Sequence, residues 1–125
     1  MRPYLYECLE EANKHFEVIV FTASHKAYAD AILDYIDPEN KYFKYRLYRD
    51  NCVLTKEGYY IKDLRILRNR RLEDIVIVDN SVYSFSFQID NGIPIIPFYD
   101  DQDDEEMLHL IYYLNCLHSV EDVRL

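Results

Sequence analysis

Apolar residues recur at helical spacing near the start of the chain, where Leu5, Cys8, Leu9 and Ala12 share one stripe and Pro3 is placed for the first turn. The pattern then changes. Glu17-Val18-Ile19-Val20-Phe21-Thr22 is a short β-branched run, which predicts a strand covered on both faces. Ser24 is a candidate cap for a second helix, whose Ala27, Ala31, Ile32 and Tyr35 are its apolar positions and which stops near Asp37-Pro38. Tyr45-Arg46-Leu47-Tyr48 predicts another strand. Cys52–Leu54 and Tyr59–Ile61 flank Thr55-Lys56-Glu57-Gly58 and predict a hairpin. The clearest buried strand is Asp74-Ile75-Val76-Ile77-Val78-Asp79, with a polar tip. Gly92–Phe98 predicts a last strand, kept at or near a sheet edge by Pro94 and Pro97. Residues 103–117 form an amphipathic helix through Met107, Leu108, Ile111, Leu114 and Leu117.

Helices alternating with short buried strands predict a three-layer, Rossmann-like α/β fold with a mainly parallel sheet. Ligands gather at the carboxyl ends of such strands. That rule selects Thr22-Ala23-Ser24, Arg49-Asp50 and Asp79-Asn80-Ser81. The chain has two glycines and no GxGxxG, GxxxxGK[ST] or GxSxG motif, which argues against a glycine-cradled nucleotide or a serine nucleophile elbow.

Half of the 125 residues are hydrophobic, enough for one folded domain. No stretch approaches the ~20 apolar residues of a membrane span, and Met1-Arg2-Pro3-Tyr4 does not begin a signal peptide, so an intracellular protein, nuclear or cytosolic, is expected. Cys8, Cys52 and Cys116 are odd in number and lack metal-ligand spacing; reduced, mostly buried thiols are expected. His15, His109 and His118 show no mutual metal spacing, and His25 reads first as an exposed residue at a helix start, with approach to a ligand at the Thr-Ala-Ser turn as the alternative.

The formal net charge of −9 disfavours direct nucleic-acid binding. It is unevenly spread. Residues 41–71 carry ten basic side chains against three acidic ones, a local +7, and the rest carries four against twenty, or −16. A basic island in an acidic chain suits a compact anionic partner such as a phosphorylated protein segment, although a merely solvated face has the same composition. Tyr42, Tyr45, Tyr48, Tyr59 and Tyr60 beside it are placed to stack on a peptide. The run Asp100, Asp101, Asp103 to Glu106 reads as the favourable N-terminus of the last helix.

The strand ends supply the parts of a phosphoryl-transfer site. Thr22 offers a hydroxyl to phosphate oxygens, Lys62 a cation for transition-state charge, and Asp79 with Asn80 oxygen ligands for Mg²⁺. Taken singly, each has a plainer reading: a turn at Thr22, a surface lysine at 62, a turn at 79–81.

In order, these segments resemble the FCP/SCP-like phosphatase domain of the haloacid dehalogenase superfamily, whose members act on the phosphorylated C-terminal repeat of RNA polymerase II and related phosphoproteins. The matching stretches are Arg2-Pro3, Phe16 to Ser24, Tyr28-Ala29-Asp30, Leu47 to Cys52, Tyr60 to Leu64 and Ile75 to Ser81. The resemblance implies that Thr22 is a phosphate ligand, Lys62 the third-motif cation, Asn80 a direct Mg²⁺ ligand, and Asp79 a partner of the lysine or of a metal-bound water. It implies that Arg49, Tyr28 and Ser24 border the substrate.

The family's first motif, DxDx[TV], is absent. Asp101 and Asp103 have the spacing but no preceding apolar strand. In the family the first Asp of that motif attacks phosphorus, the second is the general acid, and the motif provides two metal ligands; its strand lies mid-sheet, between those ending at Thr22 and Asp79. Met1 falls where family members run on into Arg-Pro, so residues 1–125 are expected to be the C-terminal part of one Mg²⁺-dependent serine/threonine phosphatase domain, inactive alone and holding Mg²⁺ weakly or not at all. The missing strand leaves two unpaired edges, to be met by upstream sequence, by closure of the remaining strands, or by another chain, including a strand-exchanged homodimer. The alternative is a pseudophosphatase that binds phosphopeptides or protein partners without hydrolysis.

Overall fold

The computed structural model describes residues 1–125. Its elements alternate as expected: α1 (Leu5–His15), β1 (Ile19–Phe21), α2 (Lys26–Ile36), β2 (Tyr45–Leu47), β3 (Val53–Leu54), β4 (Tyr60–Ile61), β5 (Ile77–Asp79), β6 (Gly92–Pro94) and α3 (Glu106–Leu117). Short 3₁₀ turns follow β2 and β4, and a kinked 3₁₀ segment, Val82–Asn91, links β5 to β6.

The strands form three separate pairs. β1 runs parallel to β2, β5 parallel to β6, and β3 with β4 makes the predicted hairpin. β1 and β5 are not bonded to each other, so the remaining strands have not closed up. A cavity of about 750 Å³ lies between them, bordered by Ile19 and Phe21 on one side and Ile75 to Val78 on the other. Backbone direction alternates along a strand. Since Val18 O and Thr22 N bond to β2, the N–H and C=O groups of Ile19 and Phe21 point the other way, into this slot. Asp79 O bonds to β6, so those of Val76 and Val78 point into it from the opposite side.

The core is accordingly thin and divided, with 16 of 125 residues buried. On one face of β5, Cys8 of α1 meets Met107, Leu110 and Leu114 of α3 over Val76, Val78 and Ile93. On the other face, Leu64 and Phe85 pack on Ile77. Gly92 lets β6 close on that cluster, because a Cβ there would overlap the buried Phe85 ring.

Several local expectations are corrected. Pro3 lies outside α1, because Tyr4 takes a left-handed turn (φ 64°) and the helix begins at Leu5. Ser24 does not cap α2; His25 holds that position without a side-chain bond. The buried face of α2 is Ala29 and Leu33, and the expected Ala27, Ala31, Ile32 and Tyr35 are exposed. The helix is apolar nearly all round, so its period offers little contrast. α3 begins at Glu106, later than the expected residue 103, with that acidic residue in its first turn, and Asp104 just before it accepts from Arg2 as well as from the Glu106 N–H. Among the thiols, Cys8 is buried, Cys52 half-buried and Cys116 exposed.

Candidate functional site

Two groups of side chains collect at the carboxyl ends of the parallel pairs. The first is built on β1 and β2. Thr22 N donates to Leu47 O (2.9 Å), and Thr22 Oγ1 accepts from Ser24 N (3.1 Å), folding 22–24 into a tight turn. That turn leaves the Thr22 hydroxyl hydrogen free to donate. Arg49 N is tied to Ser24 O (3.0 Å) and Arg49 Nε to Ala23 O (2.6 Å). Arg49 Nη1 lies 2.9 Å from His25 Nε2, and the guanidinium stands 4.8 Å over the Tyr60 ring. Nη2 has no partner within the protein. The cation is thus oriented but not neutralised, which is what an anion site requires.

The second group is built on β5 and the residue after β4. Lys62 Nζ donates to Asp79 Oδ2 (2.5 Å), with both side chains about nine-tenths covered. Asp79 Oδ1 accepts from Ser81 N (2.9 Å), and Lys62 N donates to Ser84 O (2.7 Å), which locks the lysine to the loop leaving β5. A cavity of about 340 Å³ opens here, lined by Arg2, Lys62, Asp79, Asn80, Ile95 and Phe98. Arg2 closes its far wall by a bidentate bond to Asp104 (2.8 and 3.1 Å) and a bond to Ile96 O (2.7 Å). Asn80 is exposed and its side chain is unbonded.

Cys52 lies between the groups. Its Sγ is 3.9 Å from Thr22 O, and burial pushes the thiol up, while Lys62 and Arg49 nearby pull it down. No hydrogen bond or ion pair joins Thr22 or Arg49 directly to Lys62 or Asp79. Tyr28 stands exposed on the first turn of α2, without a hydrogen bond to either group.

The basic island is largely spent on internal pairs. Lys41, Arg46, Arg65, Arg70 and Arg71 each meet a carboxylate, as Lys62 does. Of the four left unpaired, Lys44, Arg49, Lys56 and Arg68, only Arg49 sits at the selected strand ends. Sequence reasoning set His25 aside in favour of an exposed helix-start residue and gave Arg2 no individual role; the structure puts the first against Arg49 and the second in the wall facing Lys62.

Asp63 fixes the turn after Lys62. Its carboxylate receives the Arg65 guanidinium (2.7 to 3.2 Å), the Arg65 N–H (3.0 Å) and Gln88 Nε2 (2.9 Å). Arg65 foremost, with the other donors, outweighs burial and holds the carboxyl down to about 2. A depressed carboxylate stabilises the fold above its unfolded pKa of about 4 and loses that contribution as pH falls through 2. Urea unfolding is therefore expected to show the wild type losing about 1–2 kcal/mol more between pH 4 and pH 2 than Asp63→Asn, a figure discounted for the exposed Arg65. Equal losses would mean that Asp63 is not the group titrating.

Mg²⁺ prefers six oxygen ligands in near-octahedral array. This chain offers Asn80 and an Asp79 already bonded to Lys62, and nowhere brings three His, Cys, Asp or Glu side chains together for a metal. The donors present do not make a Mg²⁺ site by themselves.

Comparison with known proteins gives the family and the fold. The family model described as NLI interacting factor-like phosphatase matches residues 1–124. CTD small phosphatase-like protein 2 of Dictyostelium discoideum is 52% identical over 123 residues, covering 98% of this chain and 21% of the relative. CTD small phosphatase-like protein 3 of Caenorhabditis elegans is 42% identical over 125 residues, covering 99% and 43%. The chain thus spans less than half the length of these relatives. Fission yeast RNA polymerase II CTD phosphatase Fcp1, bound to beryllium fluoride, superposes with a TM-score of 0.66 at 21% identity, over 94% of this chain and 35% of that one, and so shares the α/β fold.

Proposed function

Because this chain belongs to the NLI interacting factor-like phosphatase family, we propose that it is the C-terminal part of a Mg²⁺-dependent protein serine/threonine phosphatase domain whose nucleophile comes from upstream sequence. The slot between β1 and β5 carries this reading. It is lined mainly by apolar side chains, with Glu17, Arg70, Arg71 and Asp74 among its polar ones, and is edged by unpaired backbone on both sides; the strands that border it end at Phe21, just before Thr22, and at Asp79. A strand ending in DxDx[TV] and seated there has its carboxylates delivered between the two groups of side chains. Thr22 and Arg49 then bind the phosphate, with Ser24 and Tyr28 beside the incoming segment. Lys62, held by Asp79, faces the charge that develops on transfer, and Asn80 and Asp79 complete a metal site that they cannot make alone. The substrate is a phosphorylated protein segment and the compartment nuclear or cytosolic. Without the strand the 125-residue chain has no group to attack phosphorus.

The test is phosphate release from a phosphoserine peptide with Mg²⁺. A chain extended upstream through an apolar strand ending in DxDx[TV] is expected to turn over, and residues 1–125 are not. An extended, folded chain without activity would overturn the proposal.

A further inference from the structure

Arg49 is held on three sides. Its Nε donates to Ala23 O at 2.6 Å, its Nη1 lies 2.9 Å from His25 Nε2, and its guanidinium stands 4.8 Å over the Tyr60 ring. Each contact removes a different freedom. The ring fixes the plane of the guanidinium, and the bond to Ala23 O pins one point in that plane. The group can still pivot about that point, and the bond to His25 stops the pivot. Arginine has no acceptor, so His25 Nε2 must be the unprotonated ring nitrogen that accepts. Of the five guanidinium N–H donors, one is spent at Nε and one at Nη1; three remain for a ligand, two of them on Nη2. Tyr60 shares a face of its strand with Lys62, two residues on, so the same ring links Arg49 to the strand that carries the lysine.

His25 does little else in the fold. It is the residue before α2, where its backbone carbonyl accepts from Ala29 N (3.0 Å), but its side chain makes no cap bond and the position is exposed. Ser, Thr, Asn and Asp are the side chains that stabilise a helix start, so an imidazole that leaves the cap unmade contributes little there. What it does contact is a cation that no carboxylate neutralises. We infer that His25 is a positioning residue: as an uncharged hydrogen-bond acceptor it fixes Arg49 in the orientation that receives the phosphate. A carboxylate in the same place would orient the guanidinium equally well but would neutralise the charge meant for the ligand. The inference rests on the phosphopeptide reading above, in which Arg49 binds phosphate.

Fluorescence anisotropy on residues 1–125 tests it, with a labelled phosphoserine peptide and its unphosphorylated counterpart. His25→Phe keeps a ring at the exposed position and removes the acceptor. It is expected to weaken the phosphopeptide about three- to tenfold, the scale of leaving one long side chain for the ligand to order, and to leave the unphosphorylated peptide unchanged. His25→Gln, whose amide oxygen accepts in place of Nε2, is expected to bind within about twofold of wild type. Arg49→Ala is expected to weaken the phosphopeptide more than His25→Phe does, and in that background His25→Phe is expected to cost nothing further, because the group it positions is gone. Wild-type affinity in His25→Phe overturns the inference alone. So does equal weakening with and without Arg49, which would make His25 a contact of the peptide itself, or a loss in His25→Gln as large as in His25→Phe. Arg49→Ala binding the phosphopeptide as tightly as wild type overturns the phosphopeptide reading and this inference with it.

Discussion

In an upstream-extended, active chain, Lys62→Gln is expected to lower kcat/KM on a phosphoserine peptide about 100- to 1,000-fold, the scale of losing one preorganised donor to transition-state charge, about 3–4 kcal/mol. The lysine is about nine-tenths covered, its ammonium is aimed by Asp79, and its backbone is fixed to Ser84 O. It therefore needs little reorganisation to meet charge at the strand ends. The substitution also leaves Asp79 with Ser81 N–H as its remaining partner, and an unpaired buried carboxylate destabilises by itself. Two effects are mixed in that single variant, and a second variant separates them. Lys62→Gln with Asp79→Asn removes both charges, so unfolding stability is expected to return toward wild type while activity stays lost. If activity recovered with stability, Lys62 would be only a structural partner of Asp79, and its role as the cation of phosphoryl transfer would be wrong.

The order of elements was legible because β-branched runs and Gly or Pro punctuation mark strands locally. β5 illustrates this: Ile75 to Asp79 has no helical reading, and a carboxylate closing so apolar a run marks a strand-end site by residue order alone. Faces were less legible than elements. Ala27, Tyr28, Ala29, Ala31, Ile32, Leu33, Tyr35 and Ile36 surround α2, so its buried side is decided by what α2 packs on rather than by its own period. Caps failed for a related reason. Ser24 is drawn into a turn with Thr22 one residue before the N-cap position, and Asp104 also meets an arginine 102 residues away, an interaction no local rule contains.

The site divides similarly. Lys62 and Asp79 were both singled out from residue order, and the fold brings them together at 2.5 Å. The basic island, by contrast, promised a cationic surface for a compact anionic partner from composition, and the fold consumes most of it in pairs such as Arg46 with Asp30 and Arg70 with Glu17. Charge counted along a chain does not know which carboxylates fold against it. Tyr59, one of the tyrosines placed to stack on a peptide, instead stacks on Tyr83 with ring centroids 4.4 Å apart, a partner 24 residues away that it meets only through the packing of β4 on the segment after β5.

A free peptide of about seven residues, apolar and β-branched, is expected to bind residues 1–125 in the slot and raise Tm by about 10 °C at a hundredfold excess over its Kd, about 2.7 kcal/mol of linkage. Each apolar side chain it buries contributes roughly 1.5–3 kcal/mol, against roughly 1–2 kcal/mol per residue of backbone ordering and the loss of free motion on association. Main-chain bonds to both edges then fix its direction. Because the N–H groups of Ile19, Phe21, Val76 and Val78 point into the slot, these amides should slow in hydrogen exchange on binding. Val20, Thr22, Ile77 and Asp79, already bonded outward to β2 and β6, should change little. A peptide with proline at its centre loses a donor and bends away, so it should neither bind nor protect. Protection at some other set of amides, or a proline peptide as effective as its parent, would mean that the cavity between β1 and β5 takes apolar material without building a strand. The chemistry assigned to the strand ends would then lack its central support.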